Sequence, residues 1–484
     1  MGAERPRVAV VGGGITGLAT AYRLVRSMGS GVDVMVFEAD DRLGGKVRTV
    51  DVGGVRVEGG ADSFVVRKPW AVDLCTELGL GDELVVPAAS RAFVRTQDVL
   101  RPFPPRSAFG IPSKAGDLLR WRGLGRPARL RALLDLYRPS RRSDADEALG
   151  RLLRRRLGER AARVMVEPLL AGLHAADPER LSTLATFPEI AAWERVHGSL
   201  IRGSRSAIKA STESGAGPMF ATVWGGLDRL VDALASYLGP SRLRVRTRVV
   251  AMEREDRVYR LRTDDGDHEA DAVVLACPAF DAARLLATVN GDATSALETI
   301  PYVSTAVVIL VYPEGTGDGL PEGTGFVTPT GSGMVTACTW ISRKWPSDEL
   351  GTRAVIRCFV GRAGSEEALD FEDGRLIAAV RLEFEAAVSM PSPPDASGVV
   401  RWLRAMPQYE VGHLDRVEKI ERALALTPGI FVAGSAYRGV GVPDCIRQAG
   451  EAAERVRGHL YGAGHGNGQA AGDETEREAI GWTT

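Results

Sequence analysis

The chain has 484 residues with 61 basic and 62 acidic side chains, a formal net charge of −1. That length allows two to four domains of ~100–200 residues, and a charge so near zero gives no general attraction for nucleic acid. Hydrophobic residues at 44% and charged residues at 25% exclude wholesale disorder. Glycine is in excess: 56 of 484 is about 12%, against ~7% in average usage, with no Gly-X-Y period.

Cys75, Cys277, Cys338, Cys358 and Cys445 are odd in number, widely spaced and free of Cys-x-x-Cys pairs. They make a poor disulfide framework and a poor zinc site, and fit a reducing compartment as small buried residues. No metal is expected. The N-terminus runs into an apolar strand without a signal-peptide core, and no stretch approaches the ~20 apolar residues of a membrane span. A cytoplasmic protein is expected. Arginine outnumbers lysine 55 to 6, so each lysine is easy to notice.

Residues 7–11 read as a buried parallel strand, followed by Gly12-Gly13-Gly14-Ile15-Thr16-Gly17, a helical run, and a second strand over 32–37 ending at Glu38. This βαβ unit opens a doubly wound sheet. From about 90 to 215 glycine thins and long Leu/Ala/Arg helices take over. Segment 114–160 holds 14 basic and 6 acidic residues, a surplus of 8. It is either a solvated helical face or a docking face for acidic lipid or a partner enzyme. Around 220–290 the α/β texture returns, with a strand over 272–276. Alternating strands over 295–405, such as 305–312 and 353–360, predict an antiparallel sheet. A strand over 429–433, Gly434 and a helix to about 461 close the pattern, and the Gly-rich tail 461–484 reads as disordered.

The predicted class is α/β, a Rossmann-like nucleotide-binding domain with a mixed α+β substrate domain and a helical insertion. The nucleotide domain is discontinuous (1–90, 215–295 and 410–460), the substrate domain covers 91–113 and 295–410, and the insertion 114–214.

Gly12-x-Gly14-x-x-Gly17 sits where a dinucleotide requires it. Gly12 permits the tight turn, Gly14 lets a pyrophosphate approach, and Gly17 lets the helix close on the strand. Glu38, 21 residues after Gly17, is placed to accept from ribose hydroxyls, which favours NAD or FAD over NADP. Beyond it, Arg42 can set a cation at the phosphates, and Gly44-Gly45 exposes backbone N–H groups to them.

The block Glu38-Ala39-Asp40-Asp41-Arg42-Leu43-Gly44-Gly45-Lys46 resembles the Glu-x-x-x-Arg-x-Gly-Gly signature of flavin oxidases related to amine oxidases and carotenoid desaturases. The stretch 429–445 is similar to the C-terminal flavin motif of that superfamily, with Ser435 where many relatives carry an acid. Gly59-Gly60-Ala61-Asp62-Ser63-Phe64-Val65-Val66-Arg67-Lys68, with Glu167-Pro168-Leu169-Leu170-Ala171-Gly172-Leu173-His174, resembles the porphyrinogen oxidases of haem synthesis. The branch is that of Gram-positive bacteria, which acts mainly on coproporphyrinogen III, and the resemblance runs from about 5 to 460.

It implies non-covalent FAD, a tetrapyrrole substrate and O₂ as acceptor. Gly12, Gly13, Gly14, Ile15, Thr16, Gly17, Glu38, Ala39, Arg42, Gly44, Gly45 and Lys46 would hold the nucleotide. Gly60, Ala61, Asp62, Ser63, Trp402, Gly434, Val440, Gly441 and Val442 would surround the flavin, and Val249 would meet the adenine through its backbone. Arg67 or Lys68 would face substrate carboxylate, with Leu173 and His174 lining the pocket. His174 either hydrogen-bonds the tetrapyrrole or is a satisfied histidine on a packed face. No side chain claims the role of catalytic base, because the chemistry falls to the flavin. The alternatives are a protoporphyrinogen IX oxidase, another amine-oxidase-like enzyme, or a non-catalytic flavin-binding scaffold for tetrapyrrole transfer. Transient contact with the next enzyme of the pathway, or peripheral contact with a membrane, is compatible with the basic segment.

Overall fold

β1 (Arg7–Val11) is buried on both faces because its apolar residues do not alternate with polar ones. The computed structural model describes residues 5–96, 99–141, 143–213, 215 and 217–462, so most of the expected tail lies outside the described residues. β1 is the centre of a five-stranded parallel sheet. Its order is Leu243–Arg244, β2 (Asp33–Phe37), β1, Ala272–Leu275 and Ile430–Val432. Val8 and Val10 pack into a layer with α1 (Ile15–Met28) and the helices Asp228–Leu238 and Val442–Gly462. Ala9 and Val11 pack into the opposite layer. There the antiparallel strands Val249–Glu255 and Val258–Thr263 meet the helices Ala279–Leu286 and His413–Ala425.

A seven-stranded sheet forms the second unit. Its order is Ala396–Pro407, Tyr302–Val311, Val355–Val360, Val335–Trp340, Gly325–Val327, Ala92–Thr96 and Val99–Pro102. The pairing is antiparallel as expected, except between Gly325–Val327 and Ala92–Thr96, which run parallel. The strand predicted over 305–312 is Tyr302–Val311, and the one over 353–360 is Val355–Val360. One face is covered by the helix Asp373–Ala387 through Leu376, Val380 and Phe384. Cys338 and Cys358 lie under this helix on paired strands, both free, with Sγ atoms 3.7 Å apart. The other face meets the hairpin Thr49–Val52 and Val55–Glu58.

Residues 115–213 are helical between loops and bury their own core of Leu149, Leu152, Leu153, Ile190 and Trp193. The basic character of this segment is smaller than its composition suggests. Arg154 pairs with Glu167 at 2.7 Å, and Arg155 with Glu147 at 2.5 Å and Glu194 at 2.6 Å. Glu167 and Glu194 come from later in the chain, which a count over 114–160 misses. Arg156 is fully buried and donates to Asp135 at 2.6 Å, while the second Asp135 oxygen accepts from Ser199 Oγ and the Ile201 N–H. Removing the acid takes away the nearest counter-charge of a buried guanidinium, leaving Glu194 at 3.5 Å, and leaves Ser199 Oγ and the Ile201 N–H without their acceptor. Asp135→Ala should therefore lower unfolding stability by about 3–5 kcal/mol, measured by urea denaturation; a change below about 1 kcal/mol would show that the pair is dispensable.

Candidate active site

The glycine turn after β1 is closed by contact. A Cβ on Gly17 would lie 1.8 Å from the Gly12 carbonyl oxygen, and Gly12 holds φ +113°, where only glycine is unstrained. Gly14 is different: a Cβ there would meet nothing nearer than Gly45 Cα at 3.9 Å, so its outer side is open. Ile15 and Thr16 begin α1, whose first N–H groups have no partner within the helix and favour an anion. Glu38 accepts from the Gly13 N–H at 2.7 Å and the Asp40 N–H at 2.8 Å, leaving one lone pair on each oxygen. Ala39 follows it, half-buried. Val249 is buried at a strand start, and Thr247, two residues earlier, donates its N–H to the Glu38 carbonyl at 2.8 Å.

Arg42 departs from expectation. Its guanidinium is turned onto the carbonyls of Leu43, Gly45 and Val47, at 3.2, 2.6 and 3.4 Å. It braces the Gly44-Gly45 turn, both of whose glycines hold positive φ, instead of standing free for phosphate. The turn is fastened to α1 by the Gly44 N–H, which donates to the Gly13 carbonyl at 2.9 Å.

Lys46 adds a charge to this loop that no carboxylate pairs. Its ammonium donates to Ser435 Oγ at 3.1 Å and has no carboxylate within ion-pair distance among the described residues. Burial pushes its pKa down. Ser435 follows Gly434, which holds φ +135° and where a Cβ would meet nothing nearer than Thr16 Oγ1 at 3.7 Å, so that turn is open too. An enclosed ammonium facing two open glycine turns and a helix N-terminus fits an anionic dinucleotide.

Gly60 crosses the same loop, since a Cβ there would lie 1.9 Å from the Lys46 carbonyl oxygen. Trp402 caps the crossing by donating its indole N–H to the Gly59 carbonyl at 2.8 Å. After Ala61, Asp62 meets two cations from the seven-stranded sheet unit, Lys344 Nζ at 2.7 Å and Arg357 at 3.4 Å; Ser63 donates to its other oxygen at 3.0 Å. The two cations hold the Asp62 carboxyl well below the usual range despite its burial. Arg357 is fully buried and also donates to the Gly60 carbonyl. Sequence reasoning missed Lys344 and Arg357; lysine scarcity was the one available signal, because three of the six lysines (Lys46, Lys68, Lys344) lie at this site.

Beside Arg357, Thr305, Ala337, Thr339, Phe359 and Trp402 keep solvent access although they sit in paired strands. The sheet face there is an open wall next to the Asp62 cluster. Val440, Gly441 and Val442 close the other side, half-buried, with Val440 packed on the helical insertion. Tyr409 clamps this loop: its hydroxyl donates to the Ser435 carbonyl at 2.9 Å and accepts from the Gly439 N–H at 2.8 Å.

The four expected substrate residues separate. Arg67 is exposed, with no ion-pair partner among the described residues. Lys68 is not a free cation, because its ammonium contacts both oxygens of Asp444 at 2.7 Å. Leu173 is 57% exposed, an apolar edge and not an enclosed wall. His174 is buried at the end of the helix Glu167–Leu173, edge-on to Phe187, with Nδ1 unpartnered. Burial, with Lys68 and His413 nearby, pushes its pKa down to about 4, so it is neutral at pH 7.

A five-stranded parallel sheet, a Gly-x-Gly-x-x-Gly turn at a helix N-terminus and an acid ending β2 define a dinucleotide-binding fold. The chain matches the model for flavin containing amine oxidoreductases over residues 15–457. It is 33% identical to the coproporphyrinogen III oxidase of Bacillus subtilis (strain 168), across 94% of this chain and 99% of that one. Identity to the coproporphyrinogen III oxidase of Mycobacterium tuberculosis (strain ATCC 25618 / H37Rv) is 36%, across 92% and 96%. A crystal structure from Exiguobacterium sp. 255-15, assigned to the protoporphyrinogen oxidases, superposes with a TM-score of 0.85 at 35% identity, across 94% and 99%. The chain belongs to the flavin-containing amine oxidoreductases and, among them, to the family of the coproporphyrinogen III oxidases.

The neutral His174 has a pH signature. Its folded pKa of about 4 lies below the ordinary 6.5, so between these values the unfolded chain binds the extra proton. Its contribution to stability is complete above pH 6.5 and is lost as pH falls toward 4, by at most about 1.4 kcal/mol per pH unit. Urea denaturation from pH 7 to 4.5 should show a shallower decline for His174→Gln than for the wild type. Equal slopes would place the titration elsewhere.

Proposed function

We propose that the protein is an FAD-dependent coproporphyrinogen III oxidase. It removes six electrons and six protons from coproporphyrinogen III to give coproporphyrin III, while three O₂ become three H₂O₂. The observation that carries this reading is the near-full-length identity to coproporphyrinogen III oxidases, joined to a glycine cradle holding one uncompensated ammonium. Segments 1–90, 215–295 and 410–460 serve as the flavin domain, 91–113 with 295–410 as the substrate domain, and 114–214 as the helical insertion.

Bound FAD supplies the two-electron acceptor and reduces O₂. The glycines 12–17 with the α1 N-terminus hold the pyrophosphate, Glu38 the ribose, Ala39 and the Val249 backbone the adenosine end, and Lys46 an anionic edge. Gly60 to Ser63, Trp402, Gly434 and Val440 to Val442 enclose the flavin ring. From the sheet side Arg357 holds the Gly60 carbonyl, and Lys344 with Arg357 holds the Asp62 carboxylate, so these residues would keep the segment that contacts the flavin in a fixed place. Loss of hydride from the sp³ carbon between two pyrroles leaves a cation that both pyrroles stabilise, so no strong base is demanded. The chain's task is to orient that carbon and exclude water. Neutral His174, with its free ring nitrogen, supports the hydrogen-bonding reading for this residue.

Substrate choice turns on carboxylates, four in coproporphyrinogen III against two in protoporphyrinogen IX. Each charge-assisted hydrogen bond contributes ~1.5–3 kcal/mol, and unpaired Arg67 offers such a contact at the rim. On the helical insertion, Leu130, Leu134 and Tyr137 are exposed at i, i+4 and i+7 beside exposed Arg120, Arg122 and Arg126. Asp117 and Asp135 are buried. This face supports transient docking on an acidic surface, the next enzyme of the pathway or anionic lipid, in a cytoplasmic setting.

Anaerobic mixing with coproporphyrinogen III should bleach the flavin, and oxygen should restore the colour with release of peroxide and gain of porphyrin fluorescence. Protoporphyrinogen IX turned over equally well or better would sink the substrate assignment, and no bleaching with either would leave a scaffold. Gly14→Val should purify without FAD; full retention would refute the pyrophosphate assignment.

A further inference from the structure

Lys68 and Asp444 lie 376 residues apart in sequence and meet at the edge of the site. The pair is lopsided. The Lys68 side chain is 46% exposed, whereas that of Asp444 is only 12% exposed. Asp444 stands in the first turn of the 21-residue helix Val442–Gly462, where the helix dipole favours an anion. Its carboxyl group lies on the backbone of the preceding loop, so that a Cβ on Gly439 would sit 2.5 Å from Asp444 Cγ. Tyr409 fixes that loop from the other side. The anion is thus packed against the loop at a helix N-terminus, with Lys68 as its ion-pair partner, while the ammonium rides on a flexible, solvent-reachable stem. The same ammonium is close enough to His174 to contribute to its lowered pKa, so it stands between the flavin-side loop and the helical wall.

We propose that Asp444 is a specificity-determining residue, an internal carboxylate that occupies Lys68 until a carboxylate of the substrate displaces it. This rests on the tetrapyrrole reading given above. Exchange of one carboxylate for another around the same ammonium keeps that charge paired, and the helix N-terminus retains the displaced Asp444. Lys68 then contributes to binding only the difference between two ion pairs. A ligand gains from it only when its own carboxylate reaches better than the resident one. The internal competitor thereby sets a threshold that a four-carboxylate ring clears more readily than a two-carboxylate ring.

The test measures binding of coproporphyrin III and of protoporphyrin IX to the FAD-loaded protein by fluorescence titration at low and high salt. Asp444→Asn should tighten coproporphyrin III by about 3- to 10-fold, with a smaller gain for protoporphyrin IX and a reduced gain at high salt. In a Lys68→Met background the same substitution should change neither affinity. Unchanged or weaker binding by Asp444→Asn, or a gain that persists without Lys68, would overturn the proposal. If Asp444→Asn fails to fold, Lys68→Arg decides: a bidentate grip on Asp444 should weaken coproporphyrin III binding, and unchanged affinity would overturn the proposal equally. Wild-type protein that binds neither porphyrin would instead remove the tetrapyrrole reading, and this inference with it.

Discussion

Backbone passing backbone at contact distance is the constraint on which the site depends. The loop from Arg42 to Val47 is fastened on one side to the start of α1 and crossed on the other by Gly60, where the approach is too close for a side chain. Through this loop the parallel sheet and the seven-stranded sheet share one corner. A chain with an ordinary residue at Gly60 would push the two units apart by the width of a methyl group or more, and the space between them would lose its shape. The glycine excess of the composition is in part the record of that requirement. The same tightness explains why Arg42, so plausible as a phosphate ligand, is consumed in bracing the turn.

Charge is arranged around the corner by a different logic. Asp62, Lys344, Arg357 and Glu58 are drawn from both units and gathered where water is scarce. Burial pushes the Glu58 carboxyl up to about 7, while Asp62, gripped by two cations, moves the opposite way. Such pairs are weak sources of net stability, because desolvation offsets most of their attraction. Their effect is positional. A carboxylate held by two cations from the other unit resists sliding of one unit past the other, which is what a reaction between two large rings demands of its container.

The sequence was most informative where function depends on local backbone. The βαβ unit, the glycine turns and the acid at Glu38 are contiguous motifs whose geometry follows from their spacing, and strand ends fell within a few residues of expectation. It was least informative for contacts between distant segments. The union of Asp62 with Lys344 and Arg357, of Lys68 with Asp444, and of Arg155 with Glu194 depends on which faces the tertiary fold brings together, and no periodicity carries that. The result was a systematic bias: Lys68, Arg154 and Arg155 look freer in the sequence than in the fold, because Asp444, Glu167 and Glu194 lie outside the segments that contain them.

The cysteines now acquire a meaning that their spacing withheld. Burial pushes the Cys75 and Cys277 thiols up to about 12, and raises those of Cys338 and Cys445 as well. A thiol so protonated carries almost no thiolate at neutral pH, and thiolate is the form that peroxide attacks. On the proposed chemistry each turnover liberates three molecules of oxidant beside the polypeptide. Thiols kept protonated by burial therefore present that oxidant with little thiolate.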